Sequence, residues 1–209
     1  ASYVEIFNAN PASDTSAEVQ FSLGYAHYAG SGSIGNSTKT TAGDRQSAAM
    51  YSQFKNLILA PNTSKFTFTG APAASSSGYN DFYFISFQRS RMREKVDPGN
   101  WELHLDGGTN KIRLIDDSSA ASSVTVEQGG RVFNVVTGSI TNGVHTAAAS
   151  EDGDGGFGLF YPDLGIILLN AAKLDDEVAD ISTARSVNTF DFNGGKLYNS
   201  IVQGAYFQA

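Results

Sequence analysis

Alternation of apolar and polar positions predicts strands along much of the chain. Val19, Phe21 and Leu23 alternate with polar residues, which is the pattern of a strand with one buried face. Similar short segments occur along the chain and are separated by turns rich in Gly, Asp, Asn and Ser. These segments are 3–7, 65–69, 81–87, 111–115, 124–127, 131–136 and 143–149. This spacing predicts a mainly β fold, a β-sandwich or barrel-like arrangement of many short antiparallel strands.

Two further segments indicate a central strand and a tight turn. Residues 164–169 are apolar on both faces, which is typical of a strand covered on each side. The sequence Asp97-Pro98-Gly99-Asn100 favours a type II turn, because Pro98 fixes φ at the first central position and Gly99 can adopt the positive φ of the second. If the residues from Trp101 onward pair back onto 81–87, the turn closes a hairpin.

The period of the pattern changes to that of a helix near 44–59. Asp44 can cap its start and Pro61 blocks its continuation. The apolar stripe that should face the core consists of five residues: Met50, Tyr51, Phe54, Leu57 and Ile58. This spacing predicts an amphipathic α-helix.

The last third of the sequence contains a second helical pattern and two apolar segments. A short helix is predicted near 173–181, where Leu174, Val178 and Ile181 recur at helical spacing. The apolar segments at 189–192 and 197–207 resemble strands, because they are rich in aromatic and β-branched residues.

Length and composition predict a single β-rich domain over residues 1–209, with two small subdomains as the alternative. The chain has 209 residues, 41% of them hydrophobic, and no cysteine, so disulfides cannot hold it together. Residues 29–43 are dominated by Gly, Ser and Thr and bury little apolar surface. This segment is predicted to be a flexible loop or arm that becomes ordered on a neighbour.

The charge balance excludes one large class of partners. The formal net charge is −7 and the pI is about 4.8, whereas binding to a phosphate backbone requires a basic surface. The longest apolar run is far shorter than the roughly 18 residues that a membrane helix needs. The first residues also lack the basic and apolar regions of a signal peptide. We therefore expect that the chain neither binds nucleic acid directly nor associates with a membrane.

Patterns with a possible chemical role are weak. Residues 30–35 match the glycine pattern of dinucleotide-binding loops, but neither a helix-forming sequence nor a βαβ pattern follows. His27, His104 and His145 are far apart in sequence, and the acidic stretch 151–156 lacks the ligand spacing of a calcium loop. We assign no catalytic, cofactor-binding or metal-binding residue. We expect that the chain is not an enzyme and has neither a cofactor nor a small-molecule ligand.

One basic stretch stands out in this acidic chain. Arg89, Arg91, Arg93 and Lys95 directly follow the aromatic strand 81–87. If the strand continues, all four side chains project to one face, whereas a helix would disperse them around its axis. Such a stripe is either a solvated sheet edge or a subunit interface that contacts an acidic partner.

Residues 82–103 resemble virion structural proteins of large contractile-tailed bacteriophages, particularly those that infect marine cyanobacteria. Three other stretches add to the resemblance: 18–33, 51–59 and 158–167. The resemblance implies a place in the virion, in the tail or baseplate, after assembly in the cytoplasm of the host bacterium. It also implies that the partners are other virion structural proteins, in a symmetric homo- or hetero-oligomer.

A receptor- or glycan-binding module of a tail fibre is the alternative function. Such a module would stack sugar rings on exposed aromatic side chains. The aromatic residues that could serve are Tyr79, Tyr83, Trp101 and Tyr161.

Overall fold

In the computed structural model, antiparallel strands form one curled sheet shaped like half a barrel, which confirms the predicted mainly β fold. The described residues are 3–32, 46–68, 78–106, 111–120, 124–141, 144–147, 156–177, 192–202 and 207–208. Their strands are β1 (Tyr3–Phe7), β2 (Val19–His27), β3 (Asp81–Phe87), β4 (Glu102–Asp106), β5 (Lys111–Asp116), β6 (Thr125–Glu127), β7 (Gly130–Thr141), β8 (Val144–Ala147), β9 (Gly158–Tyr161), β10 (Ile166–Asn170) and β11 (Phe207–Gln208). The spatial order is β1-β2-β3-β10-β9-β7-β5-β4-β11, with β6 and β8 also paired to β7. Of the two predicted arrangements, a β-sandwich and a barrel-like one, the single curled sheet corresponds to the second.

Strand alternation divides the core between the two faces of this sheet. Along β10, Ile167 and Leu169 belong to one hydrophobic cluster, whereas Ile166 and Leu168 belong to the other. All five residues of β10 are buried, and the strand lies between β3 and β9. The prediction of a central strand covered on both sides is therefore confirmed.

Helices cover both faces of the sheet. They are α1 (Gln46–Ile58), α2 (Ala171–Glu177) and α3 (Asn193–Val202). α1 belongs to one cluster, whereas α2 and α3 supply residues to the other. α3 contacts β1, β2 and β4, which lie towards opposite ends of the strand order, so it lies within the curl of the sheet. None of the described helices is long and apolar enough to span a membrane.

The amphipathic helix near 44–59 is confirmed over residues 46–58, although its buried stripe is shifted. Tyr51, Phe54 and Ile58 are buried as predicted, but Leu57 is 48% exposed and Met50 is only half-buried. The buried side continues through Ser47 instead, because positions 47, 51, 54 and 58 follow the helical repeat. Asp44, the predicted N-cap, lies outside the described residues.

The short helix near 173–181 begins at Ala171 and is described as far as Glu177. Leu174 is buried as predicted, and residues 178–181 lie outside the described part of the chain.

Of the loop or arm 29–43, only residues 29–32 are described, and they form a turn whose Ser31 carbonyl accepts a hydrogen bond from Ser47.

Three predictions about the strands are wrong. Residues 193–202 are helical, because Leu197 and Ile201 lie one turn apart and are both buried in the core, which overrides their strand-like composition. β4 pairs with β5 and β11 and does not fold back onto β3, since β2 and β10 already occupy both edges of β3. Third, the predicted strand 65–69 is not formed over its described residues, 65–68, which contribute one isolated bridge between Phe66 and Tyr79.

Candidate functional site

The basic segment 89–95 begins where the partners of β3 end. Beyond Ser86, the paired strand β10 gives way to the turn at residues 162–165. β3 itself ends at Phe87, and Arg89–Arg91 form one turn of 3-10 helix. The strand does not continue, so the basic side chains do not share one strand face.

Two of the four basic residues have partners within the chain. The Arg89 guanidinium donates a hydrogen bond to the backbone carbonyl of Asp163 at 3.0 Å. Arg91 forms an ion pair with Glu18, the residue directly before β2. Both arginines therefore fix the segment to the sheet.

The same segment packs on the turn between β9 and β10. The Val96 N–H donates to the Pro162 carbonyl at 3.1 Å. Gly165 has a φ of +65°, and a Cβ atom at this position would lie 2.4 Å from Sδ of Met92. The positive φ favours glycine at this position, and the missing Cβ leaves room for Met92 to pack against the turn.

The same segment borders a cavity of about 540 Å³. Its volume is within the roughly 300–1,000 Å³ typical of ligand cavities. The apolar lining consists of Phe21, Phe87, Met92 and Val96. Phe21, Phe87 and Val96 also pack against the core. These three residues form the apolar floor of the cavity, which is continuous with the protein interior.

The basic lining consists of Arg91, Arg93 and Lys95, and thus includes three of the four predicted interface residues. Arg93 and Lys95 are exposed and form no ion pair within the described part of the chain. Asp97 is the one acidic residue in the lining, against these three basic residues. The charged edge of the cavity is therefore mainly positive, and we call this site the basic cavity.

A β-bulge shapes the side of the cavity formed by β2. The register of β1 and β2 shifts between Ile6, which pairs with Phe21, and Phe7, which pairs with Val19. Gln20 is left over in this shift, and both Gln20 and Phe21 line the cavity. Consecutive residues of a regular strand face opposite sides, so the bulge explains how both can contribute.

The predicted type II turn forms the opposite side. Gly99 has a φ of +77°, and the Asn100 N–H donates to the Asp97 carbonyl at 3.3 Å, as predicted. Asp116 is fully buried and accepts hydrogen bonds from the N–H groups of Gly99 and Ser118, at 2.8 and 3.0 Å. A buried carboxylate of β5 thus holds the turn that borders the cavity. Sequence alone did not reveal this role, because the two segments are distant along the chain.

Beside the cavity, Asp163 binds Arg131 through both carboxylate oxygens. The Arg131 side chain donates to them at 2.5 and 3.1 Å, and these hydrogen bonds hold the pKa of Asp163 below its ordinary value. A lowered pKa in the folded state contributes stability above the unfolded value of 3.8. This stability is lost as the pH falls through the folded-state pKa.

We expect Asp163→Asn to lower the free energy of unfolding at pH 7 by less than about 1 kcal/mol, since the pair is partly exposed. The difference from the wild type should shrink as the pH falls below 3.8 through the lower pKa of the folded state, where the Asp163 carboxylate becomes protonated and the ion pair is lost. Urea unfolding over this pH range measures both effects. Asp14→Asn is a second variant whose effect should follow the pH in the same direction, because hydrogen bonds from Ser16 also hold the pKa of Asp14 below its ordinary value. A difference that grows with acidification would contradict this interpretation.

The histidines and the glycine pattern have structural roles where they are described. His27 Nδ1 accepts a hydrogen bond from the Ala29 N–H at 3.0 Å and so shapes the turn that leads into Gly30. His104 contacts the buried Glu102, which also accepts a hydrogen bond from a backbone N–H of β7. No group of three metal-binding side chains occurs among the described residues. The acidic stretch 151–156 lies almost entirely outside them, and the side chain of His145 is not described.

The aromatic residues proposed for sugar stacking are mostly in the core. Trp101 and Tyr161 are fully buried and Tyr83 is 4% exposed, so none of the three presents a ring face to solvent. Tyr79 is half-buried and packs against Phe68.

Comparison of the chain with models of known protein families, with curated proteins and with solved structures finds no match.

Proposed function

We propose that the chain is a structural subunit of a phage particle, in the tail or baseplate, that acts by protein–protein assembly. The observation that carries the proposal is the basic cavity. Arg93 and Lys95, without ion pairs in the described structure, border an apolar floor on a chain whose net charge is −7. The resemblance of residues 82–103 to virion proteins supports the location.

The arrangement of charges favours a protein partner over simple solvation. Arg93 and Lys95 are exposed and line the cavity, whereas Glu94 between them does not line it. An acidic partner would pair with these two cations and cover the apolar floor at the same time. Interfaces combine an apolar centre and a polar rim in this way, and they are enriched in arginine.

Because the rest of the chain is acidic, its surface could serve as the acidic partner of the basic cavity on another subunit. A subunit with a local basic site and an acidic remainder can meet acidic surfaces of identical or different subunits. Closed symmetry would then repeat the contact around a ring, as in most protein oligomers. The alternative of glycan binding lacks comparable support, because three of its four aromatic residues are buried.

Replacing both Arg93 and Lys95 by serine tests the assembly proposal. The variant should keep the melting temperature of the wild-type subunit, because exposed charges contribute little to stability. It should nevertheless be excluded from particles when it replaces the wild-type protein in a complementation assay. Arg89 and Arg91 are unsuitable for this test, since they also bind Asp163 and Glu18 within the chain.

The control carries serine at Lys55 of α1, outside the cavity lining, and is compared with the single variants Arg93→Ser and Lys95→Ser, each of which removes the same charge. This control should be incorporated normally. Wild-type levels of the Arg93 and Lys95 variant in infectious particles would contradict the proposal.

A further inference from the structure

The basic cavity combines two kinds of surface that a single ligand would have to match. Its floor is formed by Phe21, Phe87 and Val96, and its edge carries Arg93 and Lys95. A free inorganic anion could satisfy the edge but would leave the floor exposed to water. A purely apolar side chain could cover the floor but would leave the cations unpaired.

We propose that the cavity binds an extended segment of a neighbouring protein subunit in which acidic side chains lie two positions before and two positions after an apolar one. This inference rests on the proposed assembly function and specifies the chemistry of the partner. In an extended chain, residues two positions apart project to the same side, about 6.6 Å apart. The apolar side chain can therefore enter the cavity while these two acidic side chains reach the edge.

Charge complementarity selects this occupant over a nucleic acid. The cations are confined to one short segment, whereas a phosphate backbone needs a basic surface that extends along its length. The body of the chain is acidic, with 21 Asp and Glu against 14 Lys and Arg, and would repel such a backbone. A short acidic peptide segment meets only the cavity and avoids this repulsion.

The ion pair between Arg91 and Glu18 modifies the strength of binding. Arg91 lines the cavity, but its charge is neutralised by Glu18, which is itself exposed. Replacing Glu18 by glutamine removes this competing carboxylate and makes Arg91 available to the incoming segment. The proposal therefore predicts tighter binding from a change that removes a contact within the chain.

Titration of the 15N-labelled chain with acetylated, amidated pentapeptides, followed by NMR, tests the proposal. The probe is Glu-Ser-Phe-Ser-Glu, and the comparison peptides are Gln-Ser-Phe-Ser-Gln and Glu-Ser-Ser-Ser-Glu. The probe should shift the amide signals of residues 20–21 and 91–96. Each comparison peptide should bind at least about tenfold more weakly, because it lacks either the charges or the apolar side chain.

Variants of the chain complete the test. Arg93→Ser with Lys95→Ser should abolish the shifts, the Lys55→Ser control should retain them, and Glu18→Gln should tighten binding several-fold. Equal binding of the glutamine peptide, absence of binding, or displacement of the probe by equimolar inorganic phosphate would each overturn the inference.

The outcomes separate this inference from the proposed function. If the probe fails to bind but the Arg93 and Lys95 variant is still excluded from particles, the assembly function stands and the acidic segment is wrong. If the probe binds as expected but the variant is incorporated normally, the cavity binds acidic segments and the assembly proposal is wrong.

Discussion

A Gly158→Ala chain should fail to reach the native fold. Gly158 begins β9, where it pairs with both β10 and β7. A Cβ atom built on it would lie 2.0 Å from the carbonyl oxygen of Leu168, a backbone atom of the central strand. β10 cannot move away, because it is also paired to β3 along its whole length. We expect a loss of about 4 kcal/mol or more, the range reached when a substitution forces strain into a core.

Urea unfolding followed by circular dichroism measures this loss, or soluble yield if no folded protein is obtained. The control is Gly129→Ala, whose Cβ would meet only side-chain atoms, the nearest in Tyr161 at 3.3 Å. Its effect should be much smaller, because those side chains can shift. A Gly158→Ala chain within about 1 kcal/mol of the wild type would contradict the pairing of β9 with β10.

Trp101→Ala should destabilise the chain by about 3–5 kcal/mol, the usual cost of truncating a large buried aromatic side chain. Trp101 is fully buried immediately before β4, and its ring contacts that of Phe160 edge to face, with centroids 5.3 Å apart. Removing the indole leaves a cavity on the side of the sheet where α3 packs. Trp101→Phe should cost clearly less, because it keeps part of the ring contact.

The same residue provides its own spectroscopic test. Trp101 is the only tryptophan in the sequence, so the tryptophan fluorescence of the wild type reports on this one position. Emission should be shielded from iodide in the folded protein and shift to longer wavelength on unfolding. Ready quenching by iodide in the native state would place the ring at the surface and return it to the residues that could stack on sugars.

Sequence patterns predicted the elements whose buried side is determined by the order of apolar residues within the element itself. The alternation in β2, the apolar run of β10 and the stripe of α1 each follow from which side of the element meets the core. The turn at residues 97–100 was predictable for the same reason, since Pro98 and Gly99 determine its dihedral angles by their own chemistry.

Features that depend on distant contacts could not be predicted in this way. The helix at 193–202 contains Tyr198 and Ile201, which favour strands, and only its packing within the curl of the sheet makes it helical. The cavity joins Phe21 to Phe87 and Val96 across two strands and a turn. Its basic residues were visible in the sequence, but the apolar floor beside them was not.

Quantitative mass spectrometry of purified phage particles tests most directly the central proposal, that the chain is a structural subunit of a virion. Assembly as a structural subunit predicts a fixed, stoichiometric ratio of the chain to the other tail proteins. It also predicts that the chain remains in the tail or baseplate fraction when particles are dissociated. Absence of the chain from purified particles, despite its abundance in the lysate of infected cells, would contradict the account.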